Sequence, residues 1–243
     1  LNINQMEEAI GDVDGDMIVY ARLKGVNPAI YHIQSDNSSE IKSEKIKEYP
    51  PHNSSDPQVM RTILEDIKML YPSETYGLIL WSHASGWIPS DYGNIKLKSF
   101  GDDNGSNMDI KQLNHALPYN FDFILFDACS MASIEVLYEI KEKAKYFIAS
   151  PGEVISNGMP YNKIINDLFG KSESSYLNIA EKYFNHYTQM IGLHQSATIS
   201  VIQADQLELL GKLTNELLSS NQIVNKDFNR DKIQRMDFEK NEN

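Results

Sequence analysis

The sequence predicts an α/β fold with a mostly parallel sheet. Two observations carry that expectation: short, near-continuous apolar runs, and amphipathic helical stretches alternating with them. Six runs read as strands: "MIVYARL" (17–23), "AIYHIQ" (29–34), "YGLILWSH" (76–83), "FDFILFDA" (121–128), "KYFIAS" (145–150) and "SATISVIQ" (196–203). Their unbroken apolar character fits strands covered on both faces, as in parallel sheets.

The helices follow from spacing and capping. "LNINQMEEAI" opens the chain inside a helical pattern. "DPQVMRTILEDIKMLYP" (56–72) places Val59, Ile63, Ile67 and Leu70 on one face. Asp56 stands as its cap and Pro57 as its first helical residue. "MASIEVLYEIKEKA" and "LNIAEKYFNHYTQMI" repeat that periodicity. The stretch 85–109 is long, polar and rich in Gly, Ser and Asn, which marks it as a functional or flexible loop. The tail 225–243 reads as a surface segment or an interrupted chain.

Bulk properties narrow the function. With 243 residues, 41% hydrophobic and 23% charged, the chain has enough material for a sizeable globular core. A net charge of −12 disfavours nucleic acid and anionic membranes as partners and is compatible with a basic substrate. A single cysteine excludes an internal disulfide and any Cys-rich zinc site. No apolar run approaches the roughly 18 residues of a membrane span. Because the chain begins at Leu1 within a helical pattern, truncation of the N-terminus is expected, and a signal segment would not be seen.

The candidate chemistry gathers at two strand ends. In open α/β sheets, ligands collect beyond the carboxyl ends of the strands. "YGLILWSH" ends at His83 and "FDFILFDAC" at Cys129, 46 residues later. If these strands are parallel neighbours, imidazole and thiol leave the sheet at one edge. A free thiol, with a pKa near ~8.5, is a weak nucleophile until a histidine or a helix N-terminus favours the thiolate. The helix expected directly after Cys129 offers the second influence. Backbone amides of Cys129 and Ala84, just past each strand end, are the natural oxyanion donors. A buried cysteine acting as a small hydrophobe is the competing reading.

Other clusters carry less. Asp12, Asp14 and Asp16 in "GDVDGDM" have a calcium-like spacing, but the glutamate that an EF-hand loop needs falls on Leu23. "GDDNGSNMD" (101–109) reads as a turn followed by a helix capped at Asn107 or Asp109, with Asp102, Asp103 and Asp109 as calcium donors in the competing reading. His115, His186 and His194 lack paired metal-ligand spacing and read as surface or core-edge residues. Trp81, Trp87 and Tyr161 read chiefly as packing residues, with Trp87 and Tyr161 also flanking the cleft.

"LILWSHASGW" (78–87) together with "FDACSMASIEVLYEIKEKAKYFIASPGEVISNGMPY" (126–161) strongly resembles the clostripain-like cysteine peptidases. The likeness runs from about residue 1 to 165. It implies a caspase-like three-layer sandwich, with a mostly parallel central sheet flanked by helices. Residues 1–205 would form the peptidase domain and 206–243 a C-terminal helix and tail. The resemblance implies a dyad of His83 and Cys129, with endopeptidase action after a basic P1 residue. It implies no cofactor for the chemistry, allows Ca2+ as a bound ion, and makes a basic peptide or protein the partner. Asp127 matches an acid that shapes the S1 pocket. Export and a zymogen cut between the two motifs are also implied, and Lys96 and Lys98 fall in that interval.

Two positions depart from the family pattern. Ala84 stands where glycine is common, and its Cβ would strain a backbone of positive φ. Asn157 stands where a second acidic S1 residue is expected, leaving one carboxylate to attract a guanidinium. A caspase-like module that holds basic peptides without cleaving them is therefore the alternative.

Overall fold

The computed structural model describes residues 1–11, 13–87 and 100–220. Asp12, Lys96 and Lys98, with the tail from 221, lie outside the described residues.

The central sheet has the order β4 (Gly77–Trp81), β7 (Phe121–Asp127), β8 (Ala144–Ala149) and β9 (Ser200–Gln203). The first three strands run parallel, whereas β9 closes the edge antiparallel, so the sheet is mixed. Alternation along the strands sorts side chains between two cores. Leu80, Ile124, Phe126, Phe147 and Ala149 face one cluster, together with Leu64, Leu113, Val136 and Leu207. Those last four come from α2 (Pro57–Leu70), α3 (Ile110–Ala116), α4 (Ile134–Glu139) and α7 (Asp205–Ser219). Phe123, Leu125 and Ile148 face the other cluster, with Met6, Ile164 and Tyr183. These belong to α1 (Asn2–Ala9), α5 (Tyr161–Leu168) and α6 (Glu173–Thr188). Helix, sheet and helix thus stack in three layers.

Local chemistry explains the helix starts. Asp56 accepts from Gln58 N and Val59 N at 2.8 and 3.1 Å, ahead of Pro57. Asp109 and Gln112 form a reciprocal capping box on α3, the second of the two expected cap positions. No helix among the described residues is long and apolar enough to cross a membrane.

Three expectations need correction. The runs at 17–23 and 29–34 do form β1 (Ile18–Ala21) and β2 (Ala29–His32), but they lie outside the parallel sheet. They pair antiparallel with β3 (Glu44–Glu48) in a separate small sheet. The polar 85–109 stretch is not all loop either: β5 (Phe100–Asp103) and β6 (Ser106–Met108) form a hairpin. Finally, Trp81 and Trp87 are 63% and 52% exposed, so neither is a packing residue, whereas Tyr161 is buried.

Packing at the start of β4 is tight. A Cβ added at Gly77 would stand 2.2 Å from Phe123 Cε1. The Phe123 ring is itself held against Tyr176 at 5.3 Å, so it cannot swing aside freely. Gly77→Ala is expected to lower stability by about 1–3 kcal/mol, read from urea unfolding.

Candidate active site

Parallel pairing of β4 with β7 sets Trp81 opposite Asp127. His83 and Cys129 each follow two residues later, so both strands deliver them to the same edge of the sheet. His83 is exposed and Cys129 is partly buried, so the sulfur is not sealed in hydrocarbon. The two exit loops touch: a Cβ at Gly86 would lie 2.9 Å from the Ser130 carbonyl oxygen, and Gly86 has φ +76°. Only glycine meets both demands without strain.

The sulfur's described polar contacts run to the next loop. Val154 N–H donates to Cys129 Sγ at 3.3 Å, and Sγ lies 3.8 Å from the Val154 carbonyl oxygen. Among the described residues no hydrogen bond joins His83 to Cys129.

The chain leaves Cys129 through a strained residue. Ser130 has φ +60°, uncommon for a residue with a side chain. It is held by Ser130 N donating to Gly152 O at 2.8 Å and Ala132 N donating to Ser150 O at 3.0 Å. Helix α4 begins only at Ile134, capped by Ser133. This corrects the expectation of a helix N-terminus directly beside the thiol: residues 129–132 are turns, and the dipole is displaced from the sulfur.

Ala84 needs no positive φ, which removes the strain expected of its Cβ. It forms an isolated antiparallel bridge with Phe100. The bond across that bridge runs from Gly101 N to His83 O at 3.0 Å. In such a pair the flanking residues make the bonds, and the amide of the bridging residue points the other way. Ala84 N–H therefore faces away from the Phe100 strand.

Asp127 sits beneath this edge, on the α5/α6 face of the sheet. It is 3% exposed, and its Oδ2 accepts from Met159 N at 3.0 Å and Tyr161 Oη at 2.9 Å. Oδ1 is buried without a partner among the described residues. Burial pushes the carboxyl pKa up, against the opposing pull of the Met159 and Tyr161 bonds. Gly158 backs onto the carboxylate: a Cβ there would stand 2.6 Å from Oδ2, and φ is +68°. Tyr187 Oη fixes this turn by donating to Gly158 O at 2.6 Å. Asn157, one residue earlier, is exposed, and its carbonyl accepts from Asn2 Nδ2 at 3.3 Å.

The structure thus gathers His83, Ala84, Trp87, Asp127, Cys129 and Asn157 around one sheet edge. Sequence reasoning missed Val154, Gly86, Ser130 and Gly158. Of these Gly86 and Gly158 carried local signals, the Ser-Gly pair of "ASGW" and the Asn-Gly pair of "SNGM". Among the described residues no three His, Cys, Asp or Glu side chains assemble as a metal site.

Comparison with known proteins now bears on this arrangement. A secreted C11 cysteine protease from Bacteroides thetaiotaomicron, solved with an irreversible peptide inhibitor, is 34% identical with a TM-score of 0.76. The match covers 90% of this chain and 65% of that one. An inactive zymogen C11 protease from Parabacteroides distasonis is 30% identical with a TM-score of 0.80, covering 100% of this chain and 67% of that one. This chain therefore spans about two-thirds of the length of those proteins. No curated protein sequence matches it. The three-layer α/β architecture is the caspase-like one of those proteases. A model of the Clostripain family matches residues 2–242, and with its sheet edge carrying the histidine and cysteine motifs, the chain belongs to that family.

Proposed function

We propose that this chain is a cysteine endopeptidase cutting after Lys or Arg, with Cys129 as nucleophile and His83 as acid and base. The observation that carries the reading is the shared register that brings His83 and Cys129 to one edge of β4 and β7. The thiolate attacks the substrate carbonyl carbon, and the former C=O electrons move to oxygen. The amides of Cys129 and Ala84 hold that oxyanion. His83 gives a proton to the amide nitrogen as the C–N bond breaks, leaving a thioester. It then takes a proton from water, whose oxygen displaces the sulfur and frees the carboxylic product.

Asp127 receives the basic side chain through its unpartnered Oδ1, with Asn157 and Trp87 at the rim. Because Gly158 and Met159 cover the carboxylate, entry of the cation requires residues 155–159 to draw back. The chain's charge of −12 favours a cationic substrate. Activation by a cut at Lys96 or Lys98 belongs to the same proposal. Residues beyond the cut would stay attached, since Gly101 is bonded to His83 and Asp103 to Arg22 and Ser54. Export is supported by the secreted relative.

Fluorogenic peptides with Lys, Arg or neutral P1 residues test the reading directly. Turnover of the basic substrates, abolished when iodoacetamide alkylates Cys129, is expected. Binding without turnover would point instead to a peptide-holding module, and absence of both would remove the peptide site.

A further inference from the structure

Resting on that reading, we infer that the loop before β9 builds an apolar subsite for a bulky aliphatic or aromatic substrate residue next to P1, on its acyl side. Strand β9 runs antiparallel to β8, with Ser200 opposite Ala149, so the loop leading into it lies at the edge that carries His83 and Cys129. Ser150 Oγ and Thr198 Oγ1, 2.7 Å apart, tie that loop to the exit of β8. A pocket of about 180 Å³ opens here, lined by Asn157, Tyr187, Met190, Ile191 and His194. Apolar cavities of about 150 Å³ accept a benzene-sized group. The size therefore suits a leucine or phenylalanine side chain.

The pocket shares a wall with Asp127. Tyr187 lines it and also bonds Gly158 O, and the Gly158 backbone abuts the Asp127 carboxylate. Asn157 stands between the two. Ile191, in the pocket lining, and Leu193, two residues on, are 86% and 87% exposed, more than any other large apolar side chain among the described residues. With Met190 they give the pocket an apolar rim that a bulky substrate side chain would cover.

Strand order decides which side of the scissile bond is involved. Along the edge run β4, β7, β8 and β9, and hence His83, Cys129, the 151–158 loop and the 189–199 loop. His83 protonates the leaving amine, so the leaving half lies over β4. The acyl half extends the other way, past Asp127 to Met190 and Ile191. The residue preceding P1 is the one that meets them.

Paired substrates with Lys at P1, and Gly, Leu or Phe before it, provide the test. The Leu or Phe substrate is expected to exceed the Gly one in kcat/KM by about tenfold, as apolar pockets discriminate. Ile191→Ser should bring the ratio to within about twofold, and Ile191→Leu should restore it. Exposure of Ile191 makes unfolding of either variant an unexpected outcome, checked by circular dichroism. A wild-type ratio near one, or one unmoved by Ile191→Ser, overturns the subsite. The same peptides bound to Cys129→Ala and followed by fluorescence anisotropy separate the two proposals. A Leu-over-Gly ratio in Kd without turnover in the wild type would keep the subsite and sink the peptidase, and equal Kd values would sink the subsite.

Discussion

Cys129→Ala is expected to reduce turnover of a Lys or Arg substrate by about 10⁴-fold or more, while the protein stays folded. Loss of a covalent nucleophile removes the whole acyl-enzyme route, and the remaining binding groups cannot replace it. Stability should change little, because the described polar contacts of the sulfur are with the Val154 main chain only. Truncation leaves one N–H without its sulfur acceptor at a partly open site, a cost of about 1 kcal/mol. Steady-state kinetics beside a thermal melt read both effects. Activity within tenfold of wild type would mean that another group attacks the carbonyl. Loss of the folded baseline would mean that the thiol packs rather than reacts.

Legibility in the sequence followed burial. Strands β7 and β8 are covered on both faces and β4 in part, and their apolar runs read directly as strands. The same logic misplaced β1 and β2, because a short apolar run does not record which partner pairs with it. Strand β3 was invisible: "EKIKE" has only partly buried residues at Ile46 and Lys47, and charges dominate it. The β5–β6 hairpin does leave a signal in the sequence. Asn104 and Gly105 have φ +54° and +84°, the pair that a two-residue turn needs, and "NG" is the strongest short hairpin cue. At the site, His83 and Cys129 could be read because they end strands. The contacts that set their surroundings could not. Val154, Gly152 and Ser150 act through the main chain, which any residue type supplies. The strain at Ser130 is imposed by those same contacts rather than by its own propensity.

Asp127→Asn separates the two roles that burial gives this carboxyl group, and its effects have opposite signs. On activity, the variant is expected to lose about 10²-fold in kcat/KM for Lys and Arg substrates, with far less change for a neutral P1 residue. A charge-assisted contact in a poorly solvated pocket is the strongest attraction available to the substrate cation. On stability, the expectation runs the other way. Burial raises the folded-state pKa above the ordinary 3.8, so folding is favoured while Asp127 is protonated and loses that contribution as pH rises through the folded-state value. The asparagine variant carries no such ionisation. Its melting temperature should therefore exceed that of the wild type at pH 7, and the gap should narrow as pH falls through the folded-state value and be closed below about 4. A structural carboxylate held by ion pairing would behave oppositely, losing stability on neutralisation at pH 7. Melts of both proteins across that range, paired with kinetics on Lys and neutral substrates, test the assignment from both sides. If the variant is less stable at neutral pH and keeps its preference for basic residues, Asp127 serves the fold through Met159 and Tyr161, and the cation binds elsewhere. If it gains stability and loses the preference, the unpartnered Oδ1 is a cost that the folded protein carries for the sake of its substrate.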